Sequence, residues 1–384
     1  MFSFAQSPPI RLAKVEALVF RAPIAEPVQT SFGVMYDRPA VLVRVEDTDG
    51  VVGWGEIWCN FPAVGAEHRA RILESCIAPI LLEKAWQHPA EAFTELQRRL
   101  RILAIQTGEP GTLAQAIAGA DIALWDLLGK RLGQPLWRLL GGSKQLVSTY
   151  ASGLSPTSPE SLAAAKRAEG YRAFKLKVGF GAQRDLANVR ALRDLLGADT
   201  PLMVDANQAW MPDEAANMSR QLAEFAPVWL EEPIAADSAI EVWQQLAKES
   251  SIPLAGGENL RGEEEFATAI SSGAFAVIQP DIGKWGGFSG CLAVAQQAIK
   301  AGRLFCPHWL GGGIGLVASM HLKAATGGAG YVEVDSNPNP LRELLAMPVL
   351  AIDNGAITLS DRPGLGANPD LDVTREFRRP HRYA

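Results

Sequence analysis

The chain has 384 residues, of which 48% are hydrophobic and 20% charged, and a net charge of −6. That length holds one barrel-sized domain plus a smaller one, and the composition is that of an ordinary soluble globular protein. The acidic balance offers no basic footprint for nucleic acid, and no uninterrupted apolar run is long enough for a membrane span. Cys59, Cys76, Cys291 and Cys306 form no C-x-x-C pair, which fits a reducing compartment and argues against a disulfide framework or a zinc site. Residues 1–9 lack a basic segment followed by a long apolar run, so no signal peptide is expected and the expected location is cytoplasmic.

Residues 14–20, 40–45 and 51–55 read as strands, the last two flanking the hairpin turn Asp49-Gly50. Residues 28–36 read as a loop, either a plain connector or a lid that touches substrate. Residues 63–140 read as helices. The clearest carries Leu113, Ile117, Ala120, Leu124 and Leu127 on one face. Strands followed by helices, without alternation, suggest an α+β domain over residues 1–140.

From residue 147 the pattern alternates. Candidate strands at 147–151, 173–177, 202–205, 228–231, 253–257, 276–279, 304–306 and 331–334 are separated by helical stretches such as 161–169 and 184–196. Eight strands with crossover helices predict an α/β fold, a (β/α)8 TIM barrel, over 141–340. A doubly wound open sheet is the alternative, but no Gly-rich phosphate loop follows its first strand. Residues 341–384, rich in Pro and Gly, look irregular and are expected to pack back on the N-terminal domain.

The carboxylates recur at the strand ends. Leu202, Met203 and Val204 run into Asp205, and a second apolar strand runs into Glu231 after 26 residues. Glu258 ends a third after a further 27 residues. Each interval is one βα unit, so three carboxylates are expected at the same end of three adjacent strands. Singly, each could be a helix cap or a surface charge. Together they repel one another unless a cation sits between them, and oxygen-only ligands favour a hard ion, Mg²⁺ first.

Barrel active sites lie at the C-terminal strand ends. On the second strand, alternation points Lys175 and Lys177 to the same side. A desolvated lysine near other cations can act as a base. Asp281 and His308 are 27 residues apart, again one βα unit, and would form an acid/base dyad in which Asp281 sets the imidazole tautomer. Glu333 closes the eighth strand, as a protonated hydrogen-bond donor or as a salt-bridged charge. His68, His88, His321 and His381 have no such context.

This ordered set resembles the enolase superfamily and, within it, the mandelate racemase subgroup of the mandelate racemase/muconate lactonizing enzyme family. The residues that carry the resemblance are Lys175 and Lys177, Asp205-Ala206-Asn207, Glu231-Glu232-Pro233, Gly257-Glu258-Asn259, Asp281 with Lys284 and Gly286-Gly287, His308 and Glu333. The segments 121–126 and 139–142, and Pro363-Gly364-Leu365-Gly366, add to it. The muconate-lactonising subgroup places a base lysine where Lys284 stands, and it is His308 that discriminates between the two.

The resemblance implies a TIM barrel with an N-terminal cap completed by the C-terminal segment. It implies Mg²⁺ on Asp205, Glu231 and Glu258, with Glu232 not a ligand. It implies a small carboxylate substrate contacted by Lys175, Asn207 and Glu333, and removal of its α-proton to give an ene-diolate. Lys177 and His308 would face the two sides of the α-carbon. Dehydration of a sugar acid to a 2-keto-3-deoxy acid is the expected reaction, and racemisation or epimerisation of a 2-hydroxy or amino acid is the alternative. A Schiff-base aldolase using Lys177 would leave the aligned carboxylates unexplained, and a non-catalytic sugar-acid binder would lack a ligand or a base. A homo-oligomer is expected, and no nucleic-acid or membrane partner.

Overall fold

The computed structural model describes residues 8–30 and 33–381. Three antiparallel strands come first: β1 (Leu12–Gln29), β2 (Val34–Asp47) and β3 (Val52–Ile57). Asp47 Oδ1 shapes the β2–β3 turn by accepting from the Asp49 N–H at 3.0 Å and the Val51 N–H at 2.8 Å. Gly50 supplies the left-handed φ of 83° that the turn requires. Residues 28–36 are not a free loop. Val28 pairs with Met35 and Gln29 with Val34, so the strands run on beyond an irregularity between Pro23 and Val28 into a tight connection. Ser31 and Phe32 lie outside the described residues, as do residues 1–7.

Helices α1 (Gly65–Ile72), α2 (Ala78–Leu82), α3 (Pro89–Thr107), α4 (Pro110–Arg131) and α5 (Leu136–Leu139) follow, with a π-turn over Leu73–Ile77. Leu113, Ile117, Ala120, Leu124 and Leu127 are all buried on α4. The helix lies directly on β3. A Cβ at Gly53 would stand 2.2 Å from the Ala123 carbonyl oxygen, and one at Gly55 would stand 2.0 Å from that of Gly119. Only glycine permits that approach.

The barrel strands are β4 (Leu146–Leu154), β5 (Phe174–Lys177), β6 (Leu202–Asp205), β7 (Leu230–Glu231), β8 (Leu254–Gly256), β9 (Val277–Ile278), β10 (Leu304–Phe305) and β11 (Val332–Asp335). They are parallel neighbours in chain order, and β11 returns to pair with β4. The Glu333 N–H reaches the Pro307 carbonyl at 3.5 Å across the β10–β11 seam. Between the strands run α6 (Pro159–Ala168), α7 (Ala182–Leu196), α8 (Pro212–Leu222), α9 (Ile240–Glu249), α10 (Glu263–Ser272), α11 (Gly287–Lys300) and α12 (Gly313–Thr326). Inside, Tyr150, Ala173, Met203, Trp229, Ala255, Val277 and Cys306 form a separate buried cluster, one residue from each of seven successive strand segments. This layer makes the barrel a packed core, so the polar groups at its C-terminal end stand on a closed floor.

The C-terminal segment has more regular structure than its composition suggests. After α13 (Pro340–Leu344) comes the hairpin of β12 (Ile352–Asp353) and β13 (Ala356–Thr358), and β13 pairs antiparallel with β4. The last strand, β14 (Arg378–Arg379), pairs with β1. Side chains tie the same parts together. Asp126 on α4 accepts from the Trp54 N–H at 2.8 Å and the Leu365 N–H at 2.7 Å. Arg38 on β2 forms a buried ion pair with Asp335 on β11. No helix among the described residues is long and apolar enough to cross a membrane.

Candidate active site

The strand register sets the site. Lys177 is paired with Asp205, and Asp205 with Glu231, so the three side chains stand at one level across β5, β6 and β7. Glu258 follows two residues after β8. Asp281 and His308 form a parallel bridge just past β9 and β10, and Glu333 lies on β11. All of these side chains are largely removed from solvent, and Lys175 completely so.

Burial this deep requires each charge to find a partner. Lys175 Nζ donates to Glu231 Oε1, and stands 2.9 Å from Glu333 Oε1 and 3.5 Å from Asp205 Oδ2. Lys177 Nζ donates to Asp205 Oδ2 at 2.5 Å. Lys284 Nζ donates to Glu258 Oε1 at 2.8 Å. His308 Nε2 lies 2.8 Å from Glu258 Oε2 and 3.4 Å from Glu333 Oε2, while its Nδ1 lies 2.6 Å from Asp281 Oδ2. Asp281 is itself fixed, its Oδ1 accepting from the Gly283 and Lys284 N–H groups at 2.8 and 2.9 Å. Asn207, with φ of 44°, gives its N–H to Asp205 Oδ1 at 2.8 Å. Among the described residues, no three His, Cys, Asp or Glu side chains converge in ligating geometry. The carboxylates turn to the ammonium groups instead.

Electrostatics follow from these pairs. Burial pushes Glu231 up to about 7, against the pull of Lys175 and with the push of Asp205 and Glu333. Asp205 is held below its ordinary value, since Lys177 and Lys175 outweigh burial. His308 is raised well above its ordinary value, because Glu258, Glu333 and the bond to Asp281 overcome burial. One expectation reverses, at Lys177, and one pair of alternatives is decided, at Glu333. Burial alone lowers Lys177, but Asp205 reverses the sign and keeps the ammonium protonated. Burial favours a protonated Glu333, yet Lys175 and His308 hold it ionised.

Several partners escaped the sequence reading. Gln279 Nε2 and Trp229 Nε1 donate to Glu231 Oε2 at 2.6 and 3.0 Å. Both alternate onto the faces of Asp281 and Glu231, and that spacing was available as a signal. Ser152 donates to Glu333 across β4–β11, a pairing with no local mark in the chain. Asn259 donates to Glu232, whose burial pushes it up to about 8.

Asp205, Glu231, Glu258 and Glu333, three lysines and a His–Asp pair meet at the mouth of a barrel, and comparison gives the family. Residues 14–141 match the mandelate racemase / muconate lactonizing enzyme N-terminal domain, and residues 159–373 match the enolase C-terminal domain-like family. The chain belongs to the mandelate racemase subgroup of the enolase superfamily. It is 34% identical to the D-galactarolactone cycloisomerase of Agrobacterium fabrum over 91% of this chain and 94% of that one. It is 30% identical to the arabinonate dehydratase of Saccharolobus solfataricus over 88% and 90%. Among solved structures, a mandelate racemase/muconate lactonizing enzyme from Bordetella bronchiseptica is 53% identical and superposes with a TM-score of 0.92, covering 96% of this chain and 99% of that one. A Bradyrhizobium enolase complexed with magnesium and mandelic acid is 30% identical, with a TM-score of 0.86 over 97% and 99%.

Proposed function

We propose that the protein removes the α-proton of a sugar acid and expels its β-hydroxyl, giving a 2-keto-3-deoxy acid and water. The observation that carries this reading is the placement of Lys177 and His308. They stand on β5 and after β10, and each is hydrogen-bonded to a different member of one carboxylate set, Asp205 and Glu258. The family chemistry of α-proton abstraction, shared by dehydratases, cycloisomerases and racemases among the relatives, supports it.

Asp205, Glu231 and Glu258 are the residues that would hold Mg²⁺, since they are largely buried, ionisable and oxygen-only, and each has a lysine ammonium against it. When bound, Mg²⁺ supplies positive charge for the substrate carboxyl as the ene-diolate forms. Lys175 adds a fixed positive charge at the same place, kept protonated by Glu231 and Glu333 against burial. Asn207 and Glu333 line the carboxyl end of the substrate. One of Lys177 and His308 takes the α-proton as the C–H bond breaks. The other protonates the β-oxygen as the C–O bond breaks, and the resulting enol tautomerises to the keto acid. The state of Asp205 bears most on whether Lys177 can be the base, because Asp205 leads the carboxylates, with Glu333 and Glu231, that oppose the effect of burial on it.

Residues 141–340 carry this chemistry and 1–140 supply the cap, while the C-terminal segment meets both, β13 on barrel strand β4 and β14 on cap strand β1. A cytoplasmic setting, in keeping with four free cysteines, and a homo-oligomer complete the proposal.

A second reading uses the same pair. If the group opposite the base returns a proton to the other face of the α-carbon, the product is the epimer. A screen of the purified protein with Mg²⁺ against aldonic and aldaric acids separates the two. Keto-acid formation supports dehydration, and an inverted α-carbon without water loss supports the second reading. Turnover that survives a chelator would sink both.

A further inference from the structure

We propose that Glu56, carried by the cap, is a positioning residue for His308, holding the imidazole in place through the loop between His308 and α12. Glu56 lies on β3, 252 residues before His308 in the chain, and is buried. It does not touch the dyad. Its Oε1 accepts the Gly312 N–H and its Oε2 accepts the Gly315 N–H at 2.8 Å. Gly312 is the N-cap of α12 and has no side chain with which to cap the helix, so the cap strand supplies the missing acceptor.

The rest of the loop is tied at both ends. Trp309 gives its backbone N–H to Glu333 Oε2 at 3.3 Å and its indole N–H to the Gly312 carbonyl at 2.8 Å. Asn60, four residues after Glu56, donates to the Leu310 carbonyl at 2.6 Å. The Trp58 N–H faces the Gly283 carbonyl at 3.4 Å, and Gly283 in turn donates to Asp281. The segment 56–60 therefore grips the loops after both dyad residues.

The fit is close. A Cβ at Gly312 would meet Glu56 Oε1 at 2.5 Å, yet Gly312 has φ of −81° and ψ of −170°, a backbone that any residue adopts. The three atoms nearest to that Cβ all belong to Glu56, so the close approach of its carboxylate accounts for a glycine there. Burying a carboxylate at a domain seam opposes its ionisation: burial pushes Glu56 up to about 7 and Asp281 adds to the rise, against the pull of the Gly315 and Gly312 amides. A hydrophobic contact would close the seam at lower cost. What the carboxylate adds is two directed hydrogen bonds on the chain that carries His308.

The inference rests on reading His308 as an acid/base group, and its test uses no substrate. The Mg²⁺-saturated protein, with ¹⁵N-labelled histidine rings, is compared at one fixed pH with Glu56→Gln and with Gly312→Ala, which breaks the same clamp from the barrel side. His308→Asn assigns the His308 signals. Both variants are expected to displace the His308 ring signals and to speed amide exchange in residues 309–316 by roughly tenfold or more. The His68 and His88 signals in the cap should stay in place, and the double variant should add little to either single one. His308 signals unmoved in both variants would overturn the proposal, as would His68 and His88 moving as far as His308. If no acid is turned over, the functional reading fails while these signals still report whether Glu56 holds the ring.

Discussion

Asp281 Oδ2 and His308 Nδ1 lie 2.6 Å apart, on adjacent strand tips that also form a backbone bridge. Asp281 accepts two backbone N–H groups on its other oxygen, so its carboxylate is aimed before the histidine arrives. The pair leaves Nε2 facing the site, beside Glu258 and Glu333. Asp281→Asn is expected to lower kcat by roughly 100-fold. An amide can present its N–H to Nδ1, selecting the wrong tautomer, and cannot stabilise the imidazolium. Mg²⁺ affinity measured by titration calorimetry should not change. Unchanged kcat with an unchanged pH–rate profile would show that the residues are not coupled.

Asp205→Asn, Glu231→Gln and Glu258→Gln should each weaken Mg²⁺ binding by roughly tenfold or more and abolish turnover. Each also leaves an ammonium short of its nearest carboxylate: Lys177, Lys175 and Lys284 respectively. Circular dichroism should show the barrel folded. Wild-type affinity in all three variants would remove these residues as ligands.

His321 gives a pH-dependent prediction away from the site. It is buried, accepts the Trp137 N–H on Nδ1 at 2.9 Å and lies 3.0 Å from the Leu365 carbonyl through Nε2. Burial lowers its pKa from 6.5 to about 4. As pH falls below 6.5 the unfolded chain takes up a proton that the folded chain refuses. Stability therefore falls between pH 6.5 and about 4, by about 2 kcal/mol at pH 5. His321→Asn keeps an acceptor for Trp137 and cannot titrate. The variant should be less stable at pH 7.5, and the gap to wild type in guanidinium midpoint should close at pH 5. A gap that stays constant over this range would show that the folded and unfolded chains bind this proton alike, so that burial does not lower the His321 pKa.

The barrel was legible because its strands are short apolar runs that each end in a chemically distinct residue. Leu202, Met203 and Val204 leading to Asp205 is the clearest case, and β6 spans those same residues through Asp205. Repetition at one βα interval then located Glu231 and Glu258. What was not legible depends on groups far apart in the chain. The pairing of Lys177 with Asp205 reverses the expected direction of the lysine's shift, and only the strand register brings the two together. Residues 56–61 read as a loop that contributes to selectivity, yet Glu56 lies in a hairpin strand and its contacts are with Gly312 and Gly315. The connection at 28–36 read as a loop because it carries aromatic and polar residues, yet cross-strand pairing carries both strands into it. The 341–384 segment hid its short strands because strands of two or three residues carry no periodicity.

The most direct measurement follows the α-proton in deuterated solvent, with Mg²⁺ and an acid that the screen identifies. Wild type should form the keto acid. If Lys177 is the base, His308→Asn should still exchange the α-proton with solvent while releasing no keto acid, because loss of the hydroxyl without a proton donor is slow. Lys177→Met should then do neither. The mirror result assigns the base to His308, and either pattern fits a site in which the two residues serve opposite sides of one carbon. Full turnover in both single variants would contradict the account and pass the role of base to Lys284, which donates to Glu258 at 2.8 Å.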